Sequence, residues 1–234
     1  MSVAADERPK LIYFAERPSH LDRAGFVARW RQHAKLGMSM PRWQNVERYA
    51  HCDSVEESTL LPVAWCDGVA TIRYRSEKNR IAHVSDRSAA PTMKQDEREA
   101  FAHPVREVAI LTEEFRFVEE TPAPRKLFLR AWAKPGVMRQ DFKTWWLESY
   151  GPAFLRRLDA SGVCRGYSQN HAREEYPGTG IPPPICDVVD EVATAGPETI
   201  ALAVDETLKS LRDAGDLLKK VRAIWTEETI LHGR

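Results

Sequence analysis

A strand-and-helix pattern that occurs twice constrains this 234-residue chain more than any other feature. Near the start, an apolar run from Leu11 to Ala15 is broken by Arg17-Pro18. A helical stretch carrying Phe26, Trp30 and His33 follows. The outline returns as Leu127-Phe128-Leu129, then Lys134-Pro135, then a helical stretch with Phe142, Trp146 and Tyr150. Lys10, Phe26 and Trp30 lie 116 positions before Lys126, Phe142 and Trp146. Tyr49 lies 118 before Tyr167, and Cys66-Asp67 lies 120 before Cys186-Asp187. Ile110, Thr112, Glu113 and Glu114 lie 114 before Ile224, Thr226, Glu227 and Glu228. Matches in one order, with a drift of a few residues, are what a duplication followed by loop insertions leaves behind.

Each copy reads β-α-β-β-α-β. Residues 1–9 read as a loose polar arm, and Leu11 to Ala15 as the first strand. Ser19 to Asp22 reads as an acidic variant of a capping box ahead of the first helix. Val46 to His51, Val63 to Tyr74 and Val105 to Glu119 are the remaining strands, with helical pieces in 76–103. Asp67-Gly68 reads as a bulge. In the second copy, strands are expected at 126–133, 164–170, 185–192 and 221–231. Helices are expected at 137–159, interrupted by Gly151-Pro152, and at 198–218, the latter burying Leu202, Leu208, Leu211 and Leu218. Thr121-Pro-Ala-Pro124 is the stiff connector between units 1–121 and 122–234.

A βαββαβ unit leaves one face of its four-stranded antiparallel sheet bare. Two tandem units cover each other. The expected fold class is therefore α+β, with two ferredoxin-like βαββαβ units whose antiparallel sheets pack face to face as a barrel. A ligand cavity is expected between the sheets.

Composition removes several function classes. Formal net charge is zero, so neither a nucleic-acid partner nor an electrostatic membrane partner is expected. No apolar run approaches the roughly 20 residues of a membrane span, and residues 1–10 lack a signal-peptide core. Cys52, Cys66, Cys164 and Cys186 have neither CxxC nor zinc-ribbon spacing, which fits reduced thiols and a cytoplasmic location. No metal motif, phosphate loop or nucleophile elbow is present. Acid–base chemistry is what the remaining inventory offers.

Phe26, Trp30 and His33-Ala34, together with Trp65-Cys66-Asp67-Gly68-Val69-Ala70 and Gln95-Asp96-Glu97 with Phe101, resemble the EthD family of dimeric α/β-barrel proteins. The resemblance covers residues 10–117. It implies the barrel fold and draws attention to His33. The related barrels include catabolic proteins, polyketide cyclases, cofactor-free monooxygenases and haem-binding members. The second copy departs from the pattern, with Tyr150 in place of the histidine and Val188 after Asp187.

The candidate catalytic residues are His33 and Tyr150, as proton carrier and oxyanion donor, and Asp67 and Asp187, as carboxylates needing a partner inside apolar strands. Tyr13, Tyr49, Trp65, Tyr167, Asn170 and His51 are candidate substrate contacts. His171 ends a strand beside Asn170 and reads as loop polarity, and His83 and His103 as solvated. The expected function is a cofactor-independent lyase, isomerase or cyclase acting on a small apolar oxygenated or aromatic molecule. No cofactor or metal is expected, and a homodimer is compatible with the sequence. The alternatives are a non-catalytic ligand carrier and a cofactor-free or haem-dependent oxygenase.

Overall fold

In a computed structural model, described for residues 3, 5–55, 64–123, 125–173, 184–194, 206, 209 and 217–233, eight antiparallel strands close into one barrel. The first copy supplies β1 (Ala5–Ala15), β2 (Val46–Ser54), β3 (Gly68–Tyr74) and β4 (Ala109–Val118). The second supplies β5 (Arg125–Ala133), β6 (Cys164–Ala172), β7 (Val188–Thr194) and β8 (Leu218–His232). Around the barrel the order is β1-β3-β2-β8-β5-β7-β6-β4. Each copy is thus a contiguous ferredoxin-like sheet, and the seams are β2 with β8 and β4 with β6.

Helices cover the outside. The first copy carries α1 (Arg23–Met38), α2 (Glu77–Ser85), α3 (Ala90–Ala100) and the short α4 (Val105–Val108). The second carries α5 (Arg139–Trp145) and α6 (Gly151–Ser161), joined by a π-helical turn at Trp146–Tyr150. A π turn accommodates one extra residue in a helix, and the two copies differ by one residue here. His33 lies seven residues after Phe26, and Tyr150 eight after Phe142. Pro152 lacks an N–H and clashes with the preceding turn, which favours an irregular helix at this point.

Strand alternation sorts side chains into three cores. Phe26, Trp30, Tyr13 and Tyr49 pack under α1. Phe142, Trp146, Phe154 and Tyr167 pack under α5 and α6. Ile12, Phe14, Cys52, Val69, Ile110, Phe128, Val189 and Ile224 fill one end of the barrel. The middle of the barrel holds ions. Lys10 Nζ meets Glu114 at 2.7 Å and Glu191 at 2.5 Å. Lys126, fully buried, meets Glu191 at 2.6 Å and Glu228 at 2.9 Å. Thr112 and Thr226 each donate at 2.9 Å to the carbonyl of the lysine 102 or 100 residues away, so the two copies repeat this bond. Burial alone would raise Glu114, but Lys10 and Arg73 overcome it and hold its carboxyl at about 2.

The expected cavity between the sheets is therefore replaced by a packed interior. Residues 5–9 are strand and not a loose arm, because Asp6 and Glu114 pair across β1 and β4 and Arg116 binds Asp6 at 2.6 Å. The cap of α1 is Asp22, which accepts from the Gly25 amide at 2.7 Å, and not Ser19. Gly68 opens β3 with no positive φ. A Cβ there would collide with the Trp30 ring, so this glycine lets α1 approach the sheet. Strand β3 starts at Gly68, and residues 105–108 are helical, not strand. Leu202, Leu208 and Leu211 lie outside the described residues, and Leu218 begins β8.

Candidate functional site

Most of the sequence-derived site residues gather on the helix-facing sides of the sheets, in two unequal clusters. In the first copy, Trp30 Nε1 donates to Tyr13 Oη at 3.0 Å, and the two phenols meet at 2.9 Å. Tyr49 Oη meets His51 Nε2 at 2.5 Å, and the His51 ring stacks on Trp30 at 3.8 Å. Tyr13, Tyr49 and His51 are all buried. Burial raises Tyr13 to about 12 and holds His51 well below the usual histidine range, so the cluster is neutral. His33 lies at the edge of this cluster, its Nδ1 2.6 Å from Asp96 on α3 and its ring edge-on to Phe101. Burial lowers its proton affinity, and Asp96 partly restores it.

In the second copy Trp146 Nε1 donates instead to Asp190 Oδ1 at 2.8 Å, and Tyr167 Oη donates to Asp190 Oδ2 at 3.0 Å. Tyr150 bonds the same carboxyl. Tyr150 and His33 thus serve different partners. Burial raises Asp190 to about 7, against the pull of Trp146, Tyr167 and Tyr150. The chain of bonds continues outward. Gln169 Nε2 donates to Tyr167 Oη at 2.8 Å and to the Trp146 carbonyl at 3.1 Å. A carbonyl only accepts, so the amide nitrogen faces it and Oε1 faces His171 Nε2 at 3.0 Å. His171 must then donate through Nε2, which leaves Nδ1 as a bare acceptor.

His171 lines a cleft of about 230 Å³ with Glu113, Arg139, Phe142, Lys143, Arg173 and Asp187. Lys143 pairs with Glu113 at 2.6 Å, Arg139 with Asp187 at 3.4 Å, and Arg173 with Glu77 at 2.6 Å. Burial, aided by Lys143, lowers His171 to about 3, so its imidazole is neutral.

The other candidates lie elsewhere. Asp67 and Asp187 precede β3 and β7 rather than sitting inside them, and repeat one turn. Asp67 accepts from the Arg17 amide and Asp187 from the Ala133 amide, both at 2.8 Å. Asn170 points into the barrel and donates to the Val189 carbonyl at 3.0 Å. Trp65 stands at the barrel end against Phe14. His83 is buried between Trp43 and Tyr74 rather than solvated, and His103 is exposed beside Glu16. Sequence reasoning passed over Asp190, Gln169 and the role of His171. The available signal was Val-Val-Asp-Glu-Val at 188–192, two carboxylates within an apolar strand.

Among the described residues no group of three His, Cys, Asp or Glu side chains is placed to hold a metal, and no helix is long and apolar enough to cross a membrane. The four cysteines are free thiols.

No family model matches the chain, and no curated protein matches it. Solved structures do. An inferred monooxygenase from Fusobacterium nucleatum subsp. nucleatum aligns with a TM-score of 0.55 at 7% identity, covering 97% of this chain and 96% of that one. An inferred chlorite dismutase aligns at 0.53 and 10%, covering 96% and 95%. A haem-binding protein from Thermus thermophilus aligns at 0.50 and 8%, covering 97% and 93%. The chain has the dimeric α/β-barrel fold. These likenesses establish architecture only. Neither the space under α5 and α6 nor the cleft at His171 accommodates haem. Trp146, Tyr150, Phe154 and Tyr167 fill the space under α5 and α6, and the cleft is smaller than a cofactor pocket of about 300–1,000 Å³.

Proposed function

We propose that the protein is a cofactor-independent acid–base enzyme acting on a small oxygenated molecule, aliphatic or aromatic, bound in the cleft beside α5. The observation that carries this reading is the orientation of His171. Gln169 fixes its donor nitrogen and leaves Nδ1 without a partner among the described residues, next to Lys143. A proton taken from carbon next to a carbonyl leaves an enolate, and Lys143 and Arg139 supply positive charge for its oxygen. In the free protein burial, and after it the neighbouring Lys143 cation, weaken His171 as a base. A ligand carrying negative charge into the cleft offsets the cation and raises its basicity. Lyase, isomerase and cyclase reactions share this step. Phe142 and Ala172 provide the apolar wall. Kinship with EthD proteins over residues 10–117, division into units 1–121 and 122–234, and a reducing compartment such as the cytoplasm belong to the same proposal.

A second reading places the base at His33, because Asp96 holds its Nδ1 at 2.6 Å as an orienting carboxylate would. The weak basicity of His171 favours a third, a carrier that binds without turnover. Deuterium exchange from solvent into the methyl group of pyruvate, an anionic ketone, followed by proton NMR, separates the three. The proposal expects catalysed exchange that falls about a hundredfold or more in His171→Asn and is retained in His33→Gln. Loss in His33→Gln alone transfers the role to His33. Binding of the ketone without exchange supports the carrier and contradicts the enzyme.

A further inference from the structure

The barrel-facing positions of β5 run Lys126, Phe128, Arg130 and Trp132. The residue 116 positions before Arg130 is Phe14, and the residue 114 positions before Arg222 is Val108. Two apolar positions of the first copy are thus arginines in the second. The β5–β8 register sets Arg130 and Arg222 directly opposite each other. Like charges opposed on neighbouring strands repel.

Neither arginine has a carboxylate partner among the described residues. Arg130 Nη2 donates to the Ile185 carbonyl at 2.7 Å. Its guanidinium also hydrogen-bonds the Cys186 sulfur and otherwise lies among rings, 4.6 Å from Trp132, 5.0 Å from Phe14 and 5.2 Å from Trp65. Arg222 lies 5.6 Å from Trp65, and Lys220 lies 5.5 Å from Trp132. The nearby Cys186 thiol supplies no counter-charge, because burial pushes it up to about 12. Two donors at this mouth, Arg130 Nε and Trp65 Nε1, are buried and unbonded. Buried donors without acceptors are rare and call for an ion, water or ligand. Among the described residues at this mouth both unbonded groups are donors, and Arg130, Arg222 and Lys220 are all cations without a carboxylate bonded to them, so the group that would complete the site is an acceptor with negative charge. The two indoles offer faces to a flat body.

We propose that the barrel mouth formed by Arg130, Arg222, Lys220, Trp65 and Trp132 is a binding site for a small aromatic carboxylate. The carboxylate bridges the two arginines, and the ring lies against the tryptophans. Arg222 and Lys220 are exposed, which gives the ligand a way in. The site faces the barrel interior, on the other side of the sheet from His171, and does not depend on the function assigned to the cleft.

Benzoate and inorganic phosphate, each titrated into the full chain and into Arg222→Gln, test this through tryptophan emission and melting temperature. Arg222 is exposed, so its loss leaves the core intact. The expected result is saturable benzoate binding that weakens about tenfold or more in Arg222→Gln, with Trp65→Phe removing much of the emission change. Without ligand, Arg222→Gln is expected to melt at or above the wild-type temperature, because one of two opposed charges is gone. A lower ligand-free melting temperature overturns the proposal, since it shows that the arginine is already paired within the chain. Absence of saturable benzoate binding, or binding that Arg222→Gln leaves unchanged, overturns it too. Phosphate binding as tight as benzoate binding overturns the part assigned to the tryptophans.

Discussion

Single residues mark where the two copies parted. Trp30 and Trp146 occupy matching places, but one indole meets a phenol and the other a carboxyl. The residue 120 positions before Asp190 is Ala70, so the repeat itself gave no hint of this acid. Tyr49 and Tyr167 were legible because both copies keep them. Asp190 has a consequence for stability. Its folded pKa of about 7 lies above the unfolded value near 3.9, so the folded state holds the extra proton between those limits. The contribution of Asp190 to stability is then greatest below about pH 4, declines towards pH 7 and levels off above it. The cost is on the order of 4 kcal/mol. Urea denaturation of Asp190→Asn at pH 5 and pH 8 is expected to show a smaller loss between the two than wild type, and an equal loss would argue against the assignment. Gly68→Ala is expected to lose about 1–3 kcal/mol, because the new methyl meets the Trp30 ring. A neutral result in the same assay would show that α1 shifts freely.

Elements were readable to the extent that alternation and caps determine them. The strands carrying Ile12 and Phe128 were plain from their apolar runs. Strand β1 extends further back than hydrophobicity indicates because its polar end is held by ion pairs, which a strand pattern does not encode. The barrel interior misled for the same reason. Lys10 and Lys126 look like solvated residues at strand starts, yet they face inward and join carboxylates from three other strands. Replacing Lys126 with methionine keeps the volume but leaves Glu191 and Glu228 short of positive charge. The expected loss is about 3–5 kcal/mol in denaturant unfolding. A loss under about 1 kcal/mol would mean that water reaches the network.

At the scale of the whole molecule, two successive ferredoxin-like sheets account for the closed barrel. β8 is the counterpart of β4, and β6 of β2, so both seams join the same two kinds of edge. All eight strands have two neighbours, so association of two chains would use a surface other than a strand edge. Two copies of the first unit have the edges to close a similar barrel. Residues 1–121 expressed alone are expected to sediment as a dimer, and a folded monomer would contradict the division proposed at Thr121. Fold and repeat were legible because packing kept them alike. The cleft was not, because it depends on an amide orientation and on a histidine that both lie in the divergent copy. The claim on which the functional account rests is that His171 is neutral at physiological pH with its proton on Nε2. Long-range proton–nitrogen correlation NMR of the imidazoles reads this directly. The account predicts a protonated Nε2 and a bare Nδ1 for His171, unchanged down to about pH 4. A proton on Nδ1, or titration near pH 6.5, would contradict it.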